Sequence, residues 1–439
     1  MTAFVHFEMN TFPGREWGEG TEDPKLFNPT DFDARQWVKV CQDTGIKQII
    51  VTAKHHDGFC LWPSKYTEHS VKSSPWRGAQ GDVIREIADA CRAAGLKLGI
   101  YLSPWDRHEP SYGDSPRYDE HYKNQLAELL TNYGPIAEVW FDGACGEGPN
   151  GKKQVYDWPG YIDVARRLQP DAVIFSDAGP DVRWVGNESG YAGETNWSTL
   201  RRDEFFPGTP NYKEFTEGHE NGTHWLPAEC DVSIRPGWFY HASEDDQVKS
   251  VERLVDIYYK SAGRNGVLLL NIPPDQRGRI HESDAARLAE FRAALDETFK
   301  TNVAVGSTVV ATNIRDRSPV FGGEKLLDGD RSTYWTTDNG ITAAALEFTW
   351  EQPRTFDRAL IMENVRLGQR VRSFALEIWD GQGWRRVTEG TTIGYKRLLR
   401  FPLVTAARVR LAIRDARGSP AVSEFGLFKA SIREGRCER

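Results

Sequence analysis

The 439-residue sequence predicts a (β/α)8 barrel of the TIM type followed by an antiparallel β-sandwich. Up to about residue 298, short apolar segments alternate with segments of helical period, which indicates repeated β/α units and a parallel sheet. Beyond about residue 301 the helical period disappears, and short alternating segments separated by turns replace it. We therefore expect a barrel domain over residues 1–300 and a β-sandwich domain over residues 301–439.

Eight segments of the first part are predicted to be strands, because they are short, apolar and bounded by turn residues. Seven of them are Phe4–Phe7, Gln48–Ala53, Leu98–Leu102, Ile136–Phe141, Ala172–Ser176, Cys230–Ile234 and Val267–Ile272. The eighth, around Val182–Val185, is less regular. A doubly wound sheet is the alternative fold, but no Gly-x-Gly-x-x-Gly turn follows the first strand, so the barrel is favoured.

Helices are predicted between several of these strands. The clearest covers Val83–Ala94, where apolar residues keep the helical period between an N-terminal cap at Asp82 and a stop at Gly95. The same period recurs over Val248–Tyr258 and over Leu288–Leu295.

The sandwich is predicted from alternating segments that lie between turns such as Asp380-Gly381-Gln382-Gly383. These segments are Ala345–Trp350, Arg358–Glu363, Phe374–Trp379, Leu398–Phe401 and Arg408–Ile413. No low-complexity linker separates the two parts, so we expect the two domains to pack closely.

Composition narrows the class of partner. A net charge of −8 argues against nucleic acid and anionic membranes, and no apolar stretch approaches the ~20 residues of a membrane helix. Fifteen tryptophans and fifteen tyrosines favour carbohydrate, because aromatic rings stack on the C–H faces of sugars. The first strand begins close to Met1, so we expect a cytoplasmic protein, or a secreted or periplasmic one if an export segment precedes this chain.

Polar clusters follow three of the predicted strands, where a barrel places its chemistry. His6 ends the first strand, and Glu16 and Trp17 lie in the loop after it. His55 and His56 follow the second strand. Trp140 and Asp142 end the fourth strand. The first and second strands are neighbours in a barrel, so the three imidazole rings are expected to share one pocket.

Two uses of these histidines are open. A zinc site would need a ligand spacing such as His-x-His or His-Glu-x-x-His, which this sequence lacks. Hydrogen bonding to sugar hydroxyls suits a set of His, Glu and Trp side chains and is the favoured use. Glycoside hydrolysis also needs two carboxyl groups. Asp142 is the first candidate, and Glu188 and Glu194 are rival candidates for the second, which their spacing does not separate.

Five runs occur in order along the barrel part. They are His6-Phe7-Glu8-Met9-Asn10-Thr11-Phe12, Glu16-Trp17-Gly18, Lys54-His55-His56-Asp57-Gly58-Phe59, Trp140-Phe141-Asp142-Gly143 and Gly266-Val267-Leu268-Leu269-Leu270-Asn271-Ile272-Pro273-Pro274-Asp275. Together they resemble the α-L-fucosidases of glycoside hydrolase family 29, although Glu8 stands where the family often has glycine. Trp140–Gly143 and Gly186-Asn187-Glu188 look most like the subfamily selective for α-1,3- and α-1,4-linked fucose on branched sugars.

The resemblance implies a retaining exo-α-L-fucosidase that works by double displacement, needs no cofactor for catalysis and acts on fucosylated glycans. Asp142 would be the nucleophile and Glu188 the acid/base, with Glu194 as the alternative acid/base. The fucose pocket would be lined by His6, Glu16, Trp17, His55, His56, Tyr101, Trp140 and Trp225. Late barrel loops with Trp225, Glu229, Arg235 and Trp238 would form aglycone subsites. The alternative function is a non-catalytic carbohydrate-binding protein with a silent barrel.

The predicted sandwich resembles discoidin-like, galactose-binding-like modules. The runs Leu327-Asp328-Gly329-Asp330-Arg331-Ser332-Thr333-Tyr334-Trp335 and Val422-Ser423-Glu424-Phe425-Gly426-Leu427-Phe428 carry this likeness. In such modules a structural calcium is commonly held by a loop and a terminal glutamate. The resemblance therefore implies Asp330, Thr333 and Glu424 as calcium ligands, through hard oxygen atoms.

Overall fold

A computed structural model describes residues 1–430 of the chain. Eight parallel strands close a barrel in which each strand neighbours the next one along the chain. They are β1 (Thr2–Val5), β2 (Gln48–Lys54), β3 (Lys97–Leu102), β4 (Glu138–Trp140), β5 (Val173–Ser176), β6 (Val182–Trp184), β9 (Ala228–Ser233) and β10 (Val267–Asn271). An antiparallel hairpin of β7 (Thr199–Leu200) and β8 (His224–Trp225) is inserted between β6 and β9. The predicted barrel is confirmed, including its irregular strand around residue 182.

Six helices accompany these strands. They are α1 (Ala34–Asp43), α2 (Val83–Ala94), α3 (Ser115–Asn132), α4 (Trp158–Leu168), α5 (Val251–Lys260) and α6 (Glu282–Phe299). The regular β/α alternation is therefore interrupted, because no α-helix follows β5 or β6 within the described residues. The connection 177–181 is too short for a helix, and the β6–β9 segment instead carries the hairpin and short 3-10 turns.

Helix α2 shows how local sequence sets these elements. The Asp82 carboxylate accepts a hydrogen bond from the backbone N–H of Arg85, and Gly95 ends the helix at a φ of 69°, in the left-handed region. Between them Ile84, Ile87 and Cys91 face the barrel and are buried. The predicted helix is confirmed at both ends.

Aromatic side chains fill the barrel lumen. Phe4, Tyr101, Trp140 and Phe175 pack together with three aliphatic side chains from neighbouring strands. The rings of Trp140 and Phe175 are stacked, with centroids 4.0 Å apart and an interplanar angle of 7°. This layer closes the lumen and forms the floor of a cavity at the carboxyl ends of the strands.

The C-terminal part is an antiparallel β-structure around its own apolar core. Its strands are β11 (Thr308–Ala311), β12 (Trp335–Thr336), β13 (Ala344–Glu363), β14 (Val371–Trp379), β15 (Trp384–Gly390), β16 (Arg397–Ala416) and β17 (Ala421–Phe428). The sandwich is confirmed, but β13 and β16 each join two segments that the sequence predicts as separate strands. These two strands pair with each other on both sides of register shifts, so the ladder continues past the exposed residues 351–354.

Polar side chains interlock the barrel and the sandwich. The Gln369 carbonyl Oε1 accepts from the backbone N–H of Ser198 at 2.8 Å, and its Nε2 donates to the Asn196 carbonyl at 2.8 Å. From the barrel side, Asn265 Oδ1 accepts from the backbone N–H of Tyr395 at 2.7 Å. Close packing of the two parts is therefore observed. Among the helices of residues 1–430, none has both the length and the apolar character that a bilayer span requires.

Candidate active site

A cavity of about 340 Å³ opens at the carboxyl ends of the barrel strands. It is lined by Phe4, His6, Glu16, Trp17, His55, His56, Tyr101, Trp140, Asp142, Ala144, Glu188, Asp231 and Trp238. Seven of these residues belong to the predicted fucose pocket, and Asp142 and Glu188 are the predicted catalytic pair. Trp225, predicted with them, lies elsewhere in the structure.

Asp142 follows β4 and is held by two hydrogen bonds. The Tyr101 hydroxyl donates to Asp142 Oδ2 at 2.9 Å, and the backbone N–H of Ala144 donates to Oδ1 at 2.7 Å. Nε2 of His56 lies 3.9 Å from Oδ2. Burial and the neighbouring Asp142 charge raise the pKa of the Tyr101 phenol well above its usual value, so this hydroxyl remains a donor. The arrangement presents an oriented, hydrogen-bonded carboxyl group to the cavity.

Glu188 lies in the loop after β6 and reaches the same cavity. Burial raises the pKa of Glu188, and the charges of Asp142 and Glu16 act in the same direction. A hydrogen bond that Trp238 Nε1 donates to Glu188 Oε2 at 3.3 Å opposes the shift without cancelling it. The cavity thus combines one hydrogen-bonded carboxylate with one carboxyl group that is biased toward its protonated form.

Glu194 has a different environment. Its side chain is 79% exposed and pairs with Arg264 at 3.2 Å. Its backbone carbonyl accepts a hydrogen bond from the Thr391 hydroxyl of the sandwich. Glu194 therefore lies at the junction of the two domains, because the chain crosses from the barrel face to the sandwich between residues 188 and 194.

The three pocket histidines are neutral. Burial lowers the pKa of His6 to about 3, and burial also lowers the pKa values of His55 and His56, with the neighbouring imidazole of His56 adding to the shift at His55. A neutral imidazole offers one N–H donor and one bare nitrogen acceptor, so the tautomer decides what each ring presents to a ligand.

The partners of each Nδ1 determine these tautomers. The Ser103 hydroxyl gives its one hydrogen to the Trp105 carbonyl at 2.7 Å, so His56 Nδ1–H must donate to Ser103 Oγ, also at 2.7 Å. His6 Nδ1–H likewise donates to Asn271 Oδ1 at 2.9 Å. Both rings therefore keep a bare Nε2, which accepts hydrogen bonds.

His55 has the opposite polarity. Its Nδ1 accepts from Asn10 Nδ2 at 3.5 Å, which places the proton on Nε2. The same Asn10 amide donates to Glu8 Oε1 at 2.9 Å. The three rings thus offer the cavity two acceptors and one donor.

Behind His55 lie two carboxyl groups with no exposure to solvent, Glu8 and Asp57. Ligand atoms of Glu8, Asp57 and His55 lie within 4.8 Å of one another, and Glu8 Oε2 and Asp57 Oδ2 have no other hydrogen-bond partner among the described residues. Burial, followed by the charge of Asp57, raises the pKa of Glu8 well above its usual value. Glu8 therefore carries the proton that lets two buried carboxyl groups lie side by side.

Glu16 and Trp17 form the rim of the cavity. The Glu16 carboxylate accepts from the backbone N–H of Trp238 at 2.7 Å and contacts His241 Nε2 at 2.9 Å, which ties the loop after β1 to the loop after β9. The Trp17 ring is 58% exposed and packs edge-on against Trp105 with centroids 5.7 Å apart. An exposed ring at the mouth suits contact with a sugar that extends out of the cavity.

Trp225 and two of the three other predicted aglycone residues lie outside the cavity, which corrects that expectation. Trp225 precedes β9 and so lies at the amino end of that strand, away from the catalytic face. Glu229 is buried in the lumen and accepts from Trp140 Nε1 at 2.9 Å. Arg235 is buried in ion pairs with Asp245 and Asp284, both at 2.9 Å. Only Trp238, which follows β9, reaches the cavity.

Asp231 and Phe4 line the cavity but are absent from the predicted site. Asp231 is buried on β9 and accepts from Trp184 Nε1 at 2.8 Å. Burial, together with the charge of Glu188, raises the pKa of Asp231 well above its usual value. A lone carboxyl group within an apolar strand was the sequence signal for Asp231, because such a group must face a polar cavity or a hydrogen-bond partner.

Comparison with known proteins places this geometry in one family. The family model described as alpha-L-fucosidase matches residues 3–298. The chain is 47% identical over 434 residues to "Alpha-L-fucosidase 1" of Arabidopsis thaliana. The aligned region covers 98% of this chain and 85% of that protein.

Two solved structures are similar over nearly the whole chain. A putative alpha-L-fucosidase from Bacteroides thetaiotaomicron has a TM-score of 0.91 at 44% identity, with 98% of this chain and 95% of that chain covered. A Ruminococcus gnavus GH29 fucosidase in complex with fucose has a TM-score of 0.90 at 35% identity, with 98% and 92% covered. The likeness thus extends over both domains.

The protonated Glu8 predicts a pH-dependent difference in stability. Since the folded-state pKa of Glu8 lies above its unfolded value of about 4.3, the native state binds the extra proton, and stability falls as pH rises through this window. Glu8→Gln keeps a neutral hydrogen-bonding group and lacks this titration. We expect its unfolding temperature, relative to the parent protein, to rise between pH 5 and pH 8 in thermal unfolding measured by circular dichroism.

The exposed Glu19→Gln is the matched control and should follow the parent protein at every pH. A difference between Glu8→Gln and the parent protein that stays constant over this range would contradict a protonated Glu8. Stabilisation of the parent protein by added Zn²⁺, abolished in Glu8→Gln, would instead indicate a metal ion between these side chains.

Proposed function

Because the chain belongs to the α-L-fucosidase family and is a glycoside hydrolase, we propose that it removes terminal fucose with retention of configuration, with Asp142 as nucleophile and Glu188 as acid/base. One observation carries the proposal: both carboxyl groups line one cavity, Asp142 oriented by two hydrogen bonds and Glu188 with its pKa raised by burial. Double displacement requires two carboxyl groups, one as nucleophile and one as acid/base, and the reaction needs no cofactor.

In the first step, Asp142 forms a bond to the anomeric carbon of fucose while the glycosidic bond breaks. Glu188 gives its proton to the departing oxygen, so the aglycone leaves as an alcohol. In the second step, Glu188 takes a proton from water, and the water oxygen displaces Asp142 from the anomeric carbon. Each step inverts that carbon, so the fucose released keeps its original configuration.

The environment of Asp142 supports the nucleophile role. The two hydrogen bonds from Tyr101 and Ala144 orient the carboxyl group toward the cavity. The same two hydrogen bonds stabilise the negative charge that develops on Asp142 when the bond between Asp142 and fucose breaks in the second step. The same two donors are present before and after the reaction, so little reorganisation is needed.

The histidine tautomers support recognition of a polyhydroxylated sugar. His6 and His56 each accept from a hydroxyl group, and His55 donates to one. The Trp140 ring closes the floor and offers an apolar face to the C–H surface of the sugar. A small cavity that is closed below suits a single terminal residue, which supports exo-cleavage.

We further propose selectivity for α-1,3- and α-1,4-linked fucose on branched glycans. The motif around Trp140 and the Gly186-Asn187-Glu188 turn support it through their resemblance to that subfamily. The exposed ring of Trp17 and the neighbouring Trp238 provide a wide aromatic rim that would contact a second branch. The alternative of a silent, purely binding barrel is disfavoured, because both carboxyl groups are present and oriented.

For the sandwich, we propose a discoidin-like module with a structural calcium. Thr333 Oγ1 donates to Asp328 Oδ2 at 2.8 Å, so the two ends of the loop meet. Burial raises the pKa of Glu424; the charge of Arg331 opposes this shift, and the charges of Asp328 and Asp330 add to it. Carboxylates that repel one another around a loop of oxygen atoms suit a hard divalent cation, with Asp330, Thr333 and Glu424 as ligands.

The catalytic roles predict distinct defects. Asp142→Ala should abolish release of 4-nitrophenol from its α-L-fucoside, and Glu188→Ala should reduce release of fucose from a trisaccharide by roughly 10²–10⁴-fold. With the 4-nitrophenyl fucoside, whose leaving group needs no proton from Glu188, azide should restore turnover to Glu188→Ala and yield a fucosyl azide, because azide attacks the fucosyl-enzyme without a general base. Rates and products are measured by absorbance and NMR.

The exposed Glu194→Ala is the matched control and should keep parental activity. Azide rescue of Glu194→Ala, in place of Glu188→Ala, would overturn the acid/base role of Glu188. Initial release of inverted fucose in the NMR spectrum would exclude double displacement.

The linkage preference predicts a ratio of specificity constants. The kcat/KM for a branched trisaccharide with α-1,3- or α-1,4-linked fucose should exceed that for an α-1,2-linked disaccharide by more than about tenfold, a difference of about 1.4 kcal/mol in transition-state binding. Trp17→Ala should lower this ratio while leaving kcat/KM for the aryl fucoside within about twofold, because the ring lies at the rim. Equal specificity constants would contradict the preference.

The calcium proposal predicts a stability effect that is confined to the sandwich loop. Added Ca²⁺ should raise the unfolding temperature of the parent protein and leave that of Glu424→Gln and Asp330→Asn unchanged, because a ligand of the native state stabilises it by mass action. Differential scanning calorimetry of protein treated with chelator measures the shift. Asp380→Asn, in another exposed loop of the sandwich, is the matched control; an equal calcium response in all variants would contradict a site at Glu424.

A further inference from the structure

A second cleft, of about 650 Å³, lies where the barrel meets the sandwich. We call it the junction cleft and define it by Trp225 from the β7–β8 hairpin and by Arg315, Asn339, Arg370 and Arg417 from sandwich loops. Because Trp225 precedes β9, the junction cleft lies toward the amino ends of the barrel strands, whereas the catalytic cavity lies at their carboxyl ends. The two cavities share no lining residue.

The junction cleft is strongly basic. Three arginines line it, and none of its described lining residues is acidic. Within residues 1–430, none of the three forms an ion pair with a carboxylate. Two carboxyl groups act on these arginines without forming ion pairs: Asp338 on Arg315 and the buried Glu363 on Arg370. The Asp338 carboxylate is engaged by Asn313 Nδ2 at 2.9 Å and by the backbone N–H of Asp316 at 2.8 Å. Guanidinium groups that form no ion pair in a concave site favour an anionic ligand.

Backbone contacts hold two of these arginines in place. Arg370 Nη1 donates to the Ser419 carbonyl at 2.7 Å, and its Nε and Nη2 donate to the Leu367 carbonyl at 3.1 and 2.9 Å. Arg315 Nε donates to the Thr337 carbonyl at 3.1 Å. A guanidinium group has five N–H bonds, so both side chains are oriented and still have donors left for a ligand.

Arg417 is the most exposed of the three. Its guanidinium group lies over the Trp197 ring, 5.5 Å from the centroid. This contact supports the side chain on one face. Among the described residues its N–H groups make no hydrogen bond, so they can pair with a planar anion in bidentate geometry.

Trp225 adds a flat apolar surface to this basic site. It is 42% exposed, although tryptophan is ordinarily among the more buried residues. Its backbone pairs with Thr199 in the hairpin, which fixes the position of the ring relative to the sandwich loops. An exposed indole beside hydrogen-bond donors is suited to stack on the C–H face of a pyranose ring.

We propose that the junction cleft binds an acidic saccharide, one that carries carboxylate or sulfate groups, and thereby anchors the enzyme on glycans that also bear fucose. The indole of Trp225 stacks on a sugar ring, and the arginines pair with its anionic substituents. The net charge of −8 disfavours nucleic acid as the polyanion. The proposal rests on the family activity toward glycans and is independent of the roles of Asp142 and Glu188.

Isothermal titration calorimetry with three probes tests the proposal: oligogalacturonates for carboxylate, heparin-derived oligosaccharides for sulfate, and malto-oligosaccharides as the neutral reference. At least one acidic probe should bind the parent protein, and the neutral probe should bind at least tenfold more weakly. Trp225→Ala and Arg417→Ala should each weaken the acidic probe by about tenfold, and Arg417→Ala should also reduce the salt dependence of binding. The acidic probe that binds identifies the anionic group.

Arg385→Ala removes an exposed arginine elsewhere on the sandwich and is the matched control. It should bind like the parent protein. Binding lost equally in Arg385→Ala, binding unaffected by Trp225→Ala and Arg417→Ala, equal affinity for the neutral probe, or no binding of either acidic probe would each overturn the proposal.

Catalysis separates this proposal from the proposed mechanism. Trp225→Ala and Arg417→Ala should hydrolyse the 4-nitrophenyl fucoside at the parental rate, which also shows that they fold. Asp142→Ala should keep its affinity for the acidic probe. A rate on the aryl fucoside that falls in parallel with probe binding would show that the junction cleft is not a separate site.

Discussion

The hydrogen bond from Tyr101 to Asp142 is the interaction on which the chemistry of this barrel depends. It joins the ends of β3 and β4, and it orients a carboxyl group beside three imidazoles and a glutamate whose neutral forms burial favours. Burial lowers the pKa values of His6, His55 and His56 and raises that of Glu188. An oriented carboxyl group beside neutral imidazoles gives a cavity in which one side chain is positioned to attack a carbon atom of an uncharged sugar.

The pKa shifts of the cavity residues depend on burial, so the barrel lumen below the cavity must exclude water. The stacked rings of Trp140 and Phe175 close it, and Trp140 Nε1 is satisfied by Glu229 underneath. Burial and the charge of Glu138 raise the pKa of Glu229 well above its usual value, so the group beneath the floor is also uncharged. The aromatic layer therefore supports the site twice, as a packed core and as a low-dielectric floor.

The interlock between barrel and sandwich has a second consequence. It holds the β7–β8 hairpin against the sandwich loops, so that side chains from both domains meet in the junction cleft. The segment between β6 and β9 thus contributes Glu188 to the catalytic cavity and Trp225 to the junction cleft. The absence of a helix after β6 in the described structure is what allows this segment to reach both.

Periodicity and strand-end motifs determined much of this protein by themselves. Local apolar patterning located all eight barrel strands, because each strand buries its own short segment, and nine of the predicted site residues follow or end these strands. Tertiary structure alone decided the rest. The distance along the sequence from Asp142 does not distinguish Glu188 from Glu194. In the folded chain, Glu188 lines the cavity and Glu194 lies at the junction of the two domains. Trp225 and Glu229 are residue types suited to binding a sugar, but they lie at the amino end of β9, away from the cavity. The tautomers of the histidines depend on partners that are distant in sequence, such as Asn271 for His6. Local pattern specifies which residues form an element, whereas the direction and partners of a side chain depend on contacts that only the closed barrel creates.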